Sequence, residues 1–187
     1  MEKNFSKIFW GYLIILLNIN IGPINIFPNF VGYFLIVSGL EQINHNFDNI
    51  AINKAKKLSY WLLIYSIMAF IAKLAGVSYL DGNSIYDLII NMAYGLLVNI
   101  TNLLMAFYIL SGTIDLYILR GMEEHAQLIE KKQRQYTVLD IIGTFFVVLS
   151  LNISNEVFLG FVIVYVISVQ VYLIVTISKI KISLIEV

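Results

Sequence analysis

The chain has no cysteine, two prolines, two histidines and few charges, with Asp, Glu, Lys and Arg making up 13% of its 187 residues. Without cysteine there are no disulfides, no thiolate nucleophiles and no zinc–cysteine sites. A soluble domain carries about 25% charged residues, so the low charge content argues against one. The 12 basic and 12 acidic residues cancel, and no basic cluster with interleaved aromatics offers a face to nucleic acid. No His-Glu-x-x-His, Gly-x-Ser-x-Gly or Walker loop occurs, nor the glutamate pair of an intramembrane protease. Glu123 and Glu124 precede His125 without the three- or four-residue helical spacing of a metal pair. No catalytic, cofactor or metal site is expected, and a non-enzymatic protein is the reading that follows.

What the chain has in abundance is apolar sequence, 59% of it, with a mean hydropathy of +0.83. A spanning helix takes ~20 apolar residues, so this length suits about six spans and no separate soluble domain. The expected fold is all-α, a polytopic membrane bundle of about six transmembrane helices in three hairpins, forming one integral membrane domain over residues 1–187. The apolar runs place helices at about 5–21, 28–43, 60–76, 85–110, 136–153 and 157–178. Residues 44–59 read as a polar link. Leu116, Leu119, Met122, Ala126 and Ile129 recur at helical spacing among charges, so residues at about 115–134 read as a cytoplasmic amphipathic segment on or just beyond the membrane surface. The basic start before Ile8 is not followed by a small-x-small cleavage site, and the first run reads as a retained helix.

Charge sets the threading. Lys3, Lys7, Lys54, Lys56, Lys57, Arg120, Lys131, Lys132, Arg134, Lys179 and Lys181 all fall at helix ends on one side, and Lys73 alone falls on the other. The positive-inside rule then puts both termini in the cytoplasm. Cysteines at Asn83 and Asn155 should react with an impermeant reagent from outside, and one at Gln133 should not. Phe9, Trp10, Tyr60, Trp61, Tyr117 and Tyr136 read as the inner aromatic belt, Tyr79 and Tyr86 as the outer.

The stretch Ile26-Phe27-Pro28-Asn29-Phe30-Val31-Gly32-Tyr33-Phe34-Leu35-Ile36, continued to Gly39-Leu40, resembles a group of small multi-pass membrane proteins of low-GC Gram-positive bacteria. Leu110 to Leu116 is similar to that group's end of helix 4. The resemblance implies a bacterial host and a cell-membrane location and brings no activity with it. Asn29 stands where the group has Asp, which argues against any role that needs a carboxylate there.

Two polar sets are candidate sites. Asp87, Asn91, Gly95, Asn99, Asn102 and Ala106 share one face of helix 4. They line a polar solute path, or they let helices pack closely with amides bonding across. Asn18, Asn20, Asn25 and Asn29 crowd the first hairpin and give it an uncharged polar outer rim. Gly32 and Gly39 read as a packing face against Gly11 of helix 1, and Gln170 as an interhelical bonding group. Asp140 and Asp115 read as partners of Arg120, Lys132 or Arg134. The expected role is a structural or regulatory membrane component, with a small-molecule binding or transport subunit as the alternative. The expected partners are the bilayer and a second copy or another membrane protein.

Overall fold

The computed structural model describes residues 2–17, 20–21, 24–25, 28–75, 85–150, 153 and 155–183, with the side chains of 20, 21, 24, 25 and 85–92 outside the description. The fold is all-α, with six helices: α1 Glu2–Leu16, α2 Asn29–Asn46, α3 Ile50–Leu74, α4 Ile85–Leu119, α5 Glu123–Ser150 and α6 Glu156–Ser183. Between α1 and α2 a two-residue antiparallel ladder pairs Asn20 with Asn25 and Ile21 with Ile24. Each helix packs against its neighbours in sequence, and α6 packs against α1, so the six close into a ring. The helices alternate in direction. Gly11 meets Gly32 while Asn4 meets Gly39, and on α4 and α5 Asn99 meets Thr144 while Ser111 meets Gln133.

Local sequence explains where the helices stop. Asn49 caps α3, its side chain accepting from the Ile52 N–H at 3.0 Å. Asn155 caps α6, accepting from Val157 and Phe158 at 2.9 and 3.1 Å. At the end of α4, Gly121 takes a φ of +70°, open to glycine and strained for other residues. Its N–H reaches the Ile118 carbonyl at 3.0 Å, and the Met122 N–H reaches that of Tyr117 at 2.9 Å. That pair of bonds is a Schellman stop, with the Met122 side chain packed on the core.

Two expected segments are corrected by these caps. The link read over 44–59 shrinks to residues 47–49, because Ile52, Ala55, Ser59 and Leu62 bury one face of α3 and its lysines lie outside that face. The amphipathic segment read over 115–134 is not a separate element but is divided between two bundle helices. α4 runs to Leu119, and α5 starts at Glu123 with Ala126, Ile129, Gln133 and Tyr136 buried. A helix packed on one face shows the same periodicity as a helix lying on a membrane, and the hydrophobic pattern does not separate them.

The bundle has an apolar core and also carries many large apolar side chains on its outer surface. Trp61 is 71% exposed and Val157 83%, and Met68, Leu97, Ile141, Phe161 and Val164 also face outward. Asp140, Gln133, Thr113, Ser59 and Thr176 are buried. Exposed apolar side chains in this number suit a surface that meets a membrane or another protein. Among the described residues three helices are long and apolar enough to cross a membrane, spanning Ile50–Leu74, Ala93–Leu119 and Glu156–Ser183, with mean hydropathies of 1.3, 1.7 and 2.5. That is fewer than the six expected from the sequence. α1 has 15 residues, about 22 Å of helix against a ~30 Å hydrocarbon core. α2 carries Glu41, Gln42, Asn44, His45 and Asn46 in its second half, and α5 opens with charges from Glu123 to Arg134.

α1 and α2 cross closely, backbone against backbone. A Cβ placed on Gly11 would lie 2.6 Å from the Gly32 carbonyl oxygen, and one on Gly32 the same distance from that of Gly11. Gly39 repeats this against Asn4 at 2.7 Å. The small-residue face expected on α2 is therefore a packing face, as in other close membrane helix pairs.

Candidate functional site

Buried hydroxyls in this bundle are mostly satisfied within their own helix. Ser59 donates to Lys56 O, Ser66 to Leu63 O, Thr113 to Ile109 O and Thr176 to Tyr172 O, at 2.8 to 2.9 Å. Such back-bonding meets the demand that polar groups away from water find a partner. Asp140 on α5 breaks the pattern. It is 6% exposed, and its Oδ1 has two long contacts, 3.4 Å from the Tyr136 hydroxyl and 3.5 Å from Gln170 Nε2 on α6. Both exceed the 2.5–3.2 Å of good hydrogen bonds, roughly the range for these donors. The other oxygen, Oδ2, has no hydrogen-bond partner.

A second buried group among the described residues is unsatisfied. Tyr12 on α1 is 5% exposed, and its hydroxyl has no hydrogen-bond partner either. It lies within electrostatic reach of Tyr136, Tyr33 and Asp140. Tyr33 on α2 crosses the ring to donate to Asn102 Oδ1 on α4 at 3.0 Å, and Asn102 donates onward to Val98 O at 3.1 Å. Five helices thus contribute polar side chains to the interior: α5 and α6 meet at the carboxylate, α1 brings Tyr12 within electrostatic reach of it, and α2 and α4 are joined by Tyr33 and Asn102. The expectation that Asp140 pairs with a nearby cation is corrected here. Arg134 binds Glu130 at 2.5 Å on the exposed side of α5, and Lys132 faces Lys179. Asp115 receives the Asn49 amide at 2.8 Å. α5 turns Asp140 inward by its helical register, on the face of Gln133, Tyr136 and Gly143.

The residues singled out in the sequence fall as follows. Asn99 donates to Thr144 Oγ1 at 2.6 Å, and Thr144 donates to the Asp140 carbonyl at 2.9 Å, so α4 is tied to the same turn of α5. Asn102 belongs to the interior through Tyr33. Ala106 is buried, and Gly95 meets open space. The side chains of Asp87 and Asn91 lie outside the described residues, as do Asn18 and the side chains of Asn20 and Asn25. Asn29 is half-buried with its Oδ1 lacking a partner.

Tyr117 and Tyr136, expected in an aromatic belt, are buried in the core. Trp10, Tyr60 and Trp61 do face outward. Tyr79 lies outside the described residues, as does the Tyr86 side chain. Gln133, expected at an accessible inner face, is buried and donates to Phe107 O at 2.9 Å and to Ser111 Oγ at 2.6 Å. A cysteine there reports on packing rather than on sidedness.

Among the described residues no three His, Asp or Glu side chains gather to hold a metal ion, so Asp140 is a lone carboxylate among neutral donors and acceptors. No protein-family model, no curated protein and no solved structure matches this chain. The site stands on its geometry. Its signal in the sequence was an aspartate set in an apolar run, Val138-Leu139-Asp140-Ile141-Ile142. An ionisable residue in such a run marks a functional position by default. The tyrosines carried no comparable signal, since they are common at helix ends.

Proposed function

We propose that the chain is a bacterial cell-membrane protein that crosses the bilayer six times with both termini in the cytoplasm, and that it is a binding or transport component for a monovalent cation held at the Asp140 centre. The observation that carries this reading is the pair of unsatisfied buried oxygens, Asp140 Oδ2 and the Tyr12 hydroxyl. A bare carboxylate in a lipid-embedded interior is costly, and oxygen ligands without protein partners are what a hard monovalent ion takes. The resemblance around Pro28 to Ile36 supports the bacterial location, and the grouping of lysines and arginines supports the orientation.

A structural role is the second reading, favoured by the bonds of Asn99 to Thr144 and Tyr33 to Asn102, which use the helix 4 amides as ties between helices. The partner in that role is a second copy or another membrane protein on the outward apolar face.

The two readings separate on purified protein in detergent. Thermal unfolding is followed in lithium, sodium, potassium and ammonium chloride at constant ionic strength, with N-methylglucamine as the replacement. The expected result is a saturable rise in Tm with at least one cation, absent in Asp140→Asn and weakened several-fold in Tyr12→Phe. Equal, flat responses in wild type and Asp140→Asn leave the structural reading. Neutralisation of Asp140 by a proton alone produces that same flat response and counts against the cation.

A further inference from the structure

At the cytoplasmic end a cleft of about 210 Å³ opens between the α4–α5 turn and the last turns of α6. Its walls are apolar, Leu128 and Ile182 being half-exposed toward the outer surface of the bundle. At its floor the Tyr117 hydroxyl meets Ser183 Oγ, and the Tyr117 ring packs against His125 with centroids 5.7 Å apart. Lys132 from α5 and Lys179 from α6 both line it, and no carboxylate does among the described residues. Glu130, the acidic residue nearest in sequence, is engaged by Arg134. Burial and the facing charge of Lys179 both push the Lys132 ammonium below its ordinary value. Two like charges sharing a cleft with no carboxylate among the described lining residues is an arrangement that an anion relieves.

The position narrows the anion. The cleft sits where an apolar wall meets a basic rim, at the end that carries nearly all of the lysines. Long basic side chains there reach to the headgroup level, and pockets of this kind between membrane helices take anionic lipid headgroups. From this geometry we infer that the Lys132–Lys179 cleft binds the phosphate headgroup of an anionic phospholipid of the cytoplasmic leaflet, with an acyl chain lying along Leu128 and Ile182. The inference rests on the membrane reading above, and its readout is separate from that reading.

The test is native mass spectrometry of the delipidated protein in detergent, titrated with phosphatidylglycerol or with phosphatidylcholine of the same acyl chains. Wild type is expected to retain phosphatidylglycerol at a concentration several-fold below that needed for phosphatidylcholine. The variant K132Q/K179Q is expected to lose the difference, and K132R/K179R to keep it. Equal retention of both lipids by wild type, or an unchanged preference in K132Q/K179Q, overturns the inference. So does a gain in Tm with inorganic phosphate equal to that with phosphatidylglycerol, which marks a soluble-anion site. If K132Q/K179Q does not fold, the wild-type lipid preference and its retention in K132R/K179R decide. Failure of the membrane reading shows separately, as release of the wild-type chain from vesicles by alkaline carbonate.

Discussion

Tyr12 and Tyr33 enter the same interior from adjacent helices, yet opposite consequences are expected from deleting their hydroxyls. Tyr33 supplies the hydrogen of a 3.0 Å bond to Asn102. Tyr33→Phe therefore strands a buried amide oxygen, at a cost of about 1–3 kcal/mol. Tyr12 has no partner to lose, so Tyr12→Phe is expected to leave cation-free thermal stability unchanged or slightly raised. Paired Tm measurements in N-methylglucamine check both, and equal losses would contradict the assignment of partners. The amides of Asn99 and Asn102 were legible as inward-facing because lipid offers them nothing to bond. Asp140 was misread as an ion-pair partner because Lys132 and Arg134 are close in sequence. Register sets them apart: Asp140 shares the buried face with Gln133 and Tyr136, while Arg134 is exposed and Lys132 sits beside α6.

Helix existence was plain from apolar runs, but helix ends were not. α3 begins ten residues earlier than Tyr60, where the apolar run starts, because a cap and a one-sided pattern sustain a helix through polar sequence. Asn49 both caps α3 and donates to Asp115 of α4, joining the two helices where α3 begins. Asn49→Ala is expected to cost about 1–2 kcal/mol in cap alone, whereas Asn49→Ser keeps the cap and loses only the tie to Asp115. Thermal unfolding should rank wild type above Asn49→Ser above Asn49→Ala, and an Asn49→Ala protein as stable as wild type would sink the dual role. The α1–α2 pair offers a sharper contrast. Gly11→Ala places a methyl 2.6 Å from the Gly32 carbonyl oxygen and from Ile36, and the helices must part at a cost of about 1–3 kcal/mol. Gly160→Ala meets nothing within 4 Å and is expected to be neutral or mildly stabilising through helix propensity, by up to about 1 kcal/mol. Equal Tm values for these two variants would contradict the close crossing.

At the scale of the molecule, helix lengths and the bilayer disagree, and the disagreement is informative. α4 has 35 residues and α5 has 28, about 52 and 42 Å of helix, against a ~30 Å core. In the proposed membrane bundle the joined ends of these two helices would stand in water, and that is where Arg120, Glu123, Glu124, Lys131 and Arg134 lie. α1, α2 and α5 are weak spans by their own composition, and composition helix by helix supports three spans. In the proposed six-span bundle, tertiary packing would have to supply the partners that lipid does not offer their polar residues. The two threadings differ at α6. If all six cross, Glu156 is outside. If α3, α4 and α6 alone cross, α5 stays in the cytoplasm and Glu156 with it.

The deciding measurement is labelling of intact cells with a membrane-impermeant maleimide, using single cysteines in this cysteine-free chain at the exposed positions Gln127 and Glu156. The six-span bundle predicts rapid labelling of Glu156→Cys and none of Gln127→Cys until the cells are opened. Protection of Glu156→Cys in intact cells, with labelling only after lysis, would contradict it.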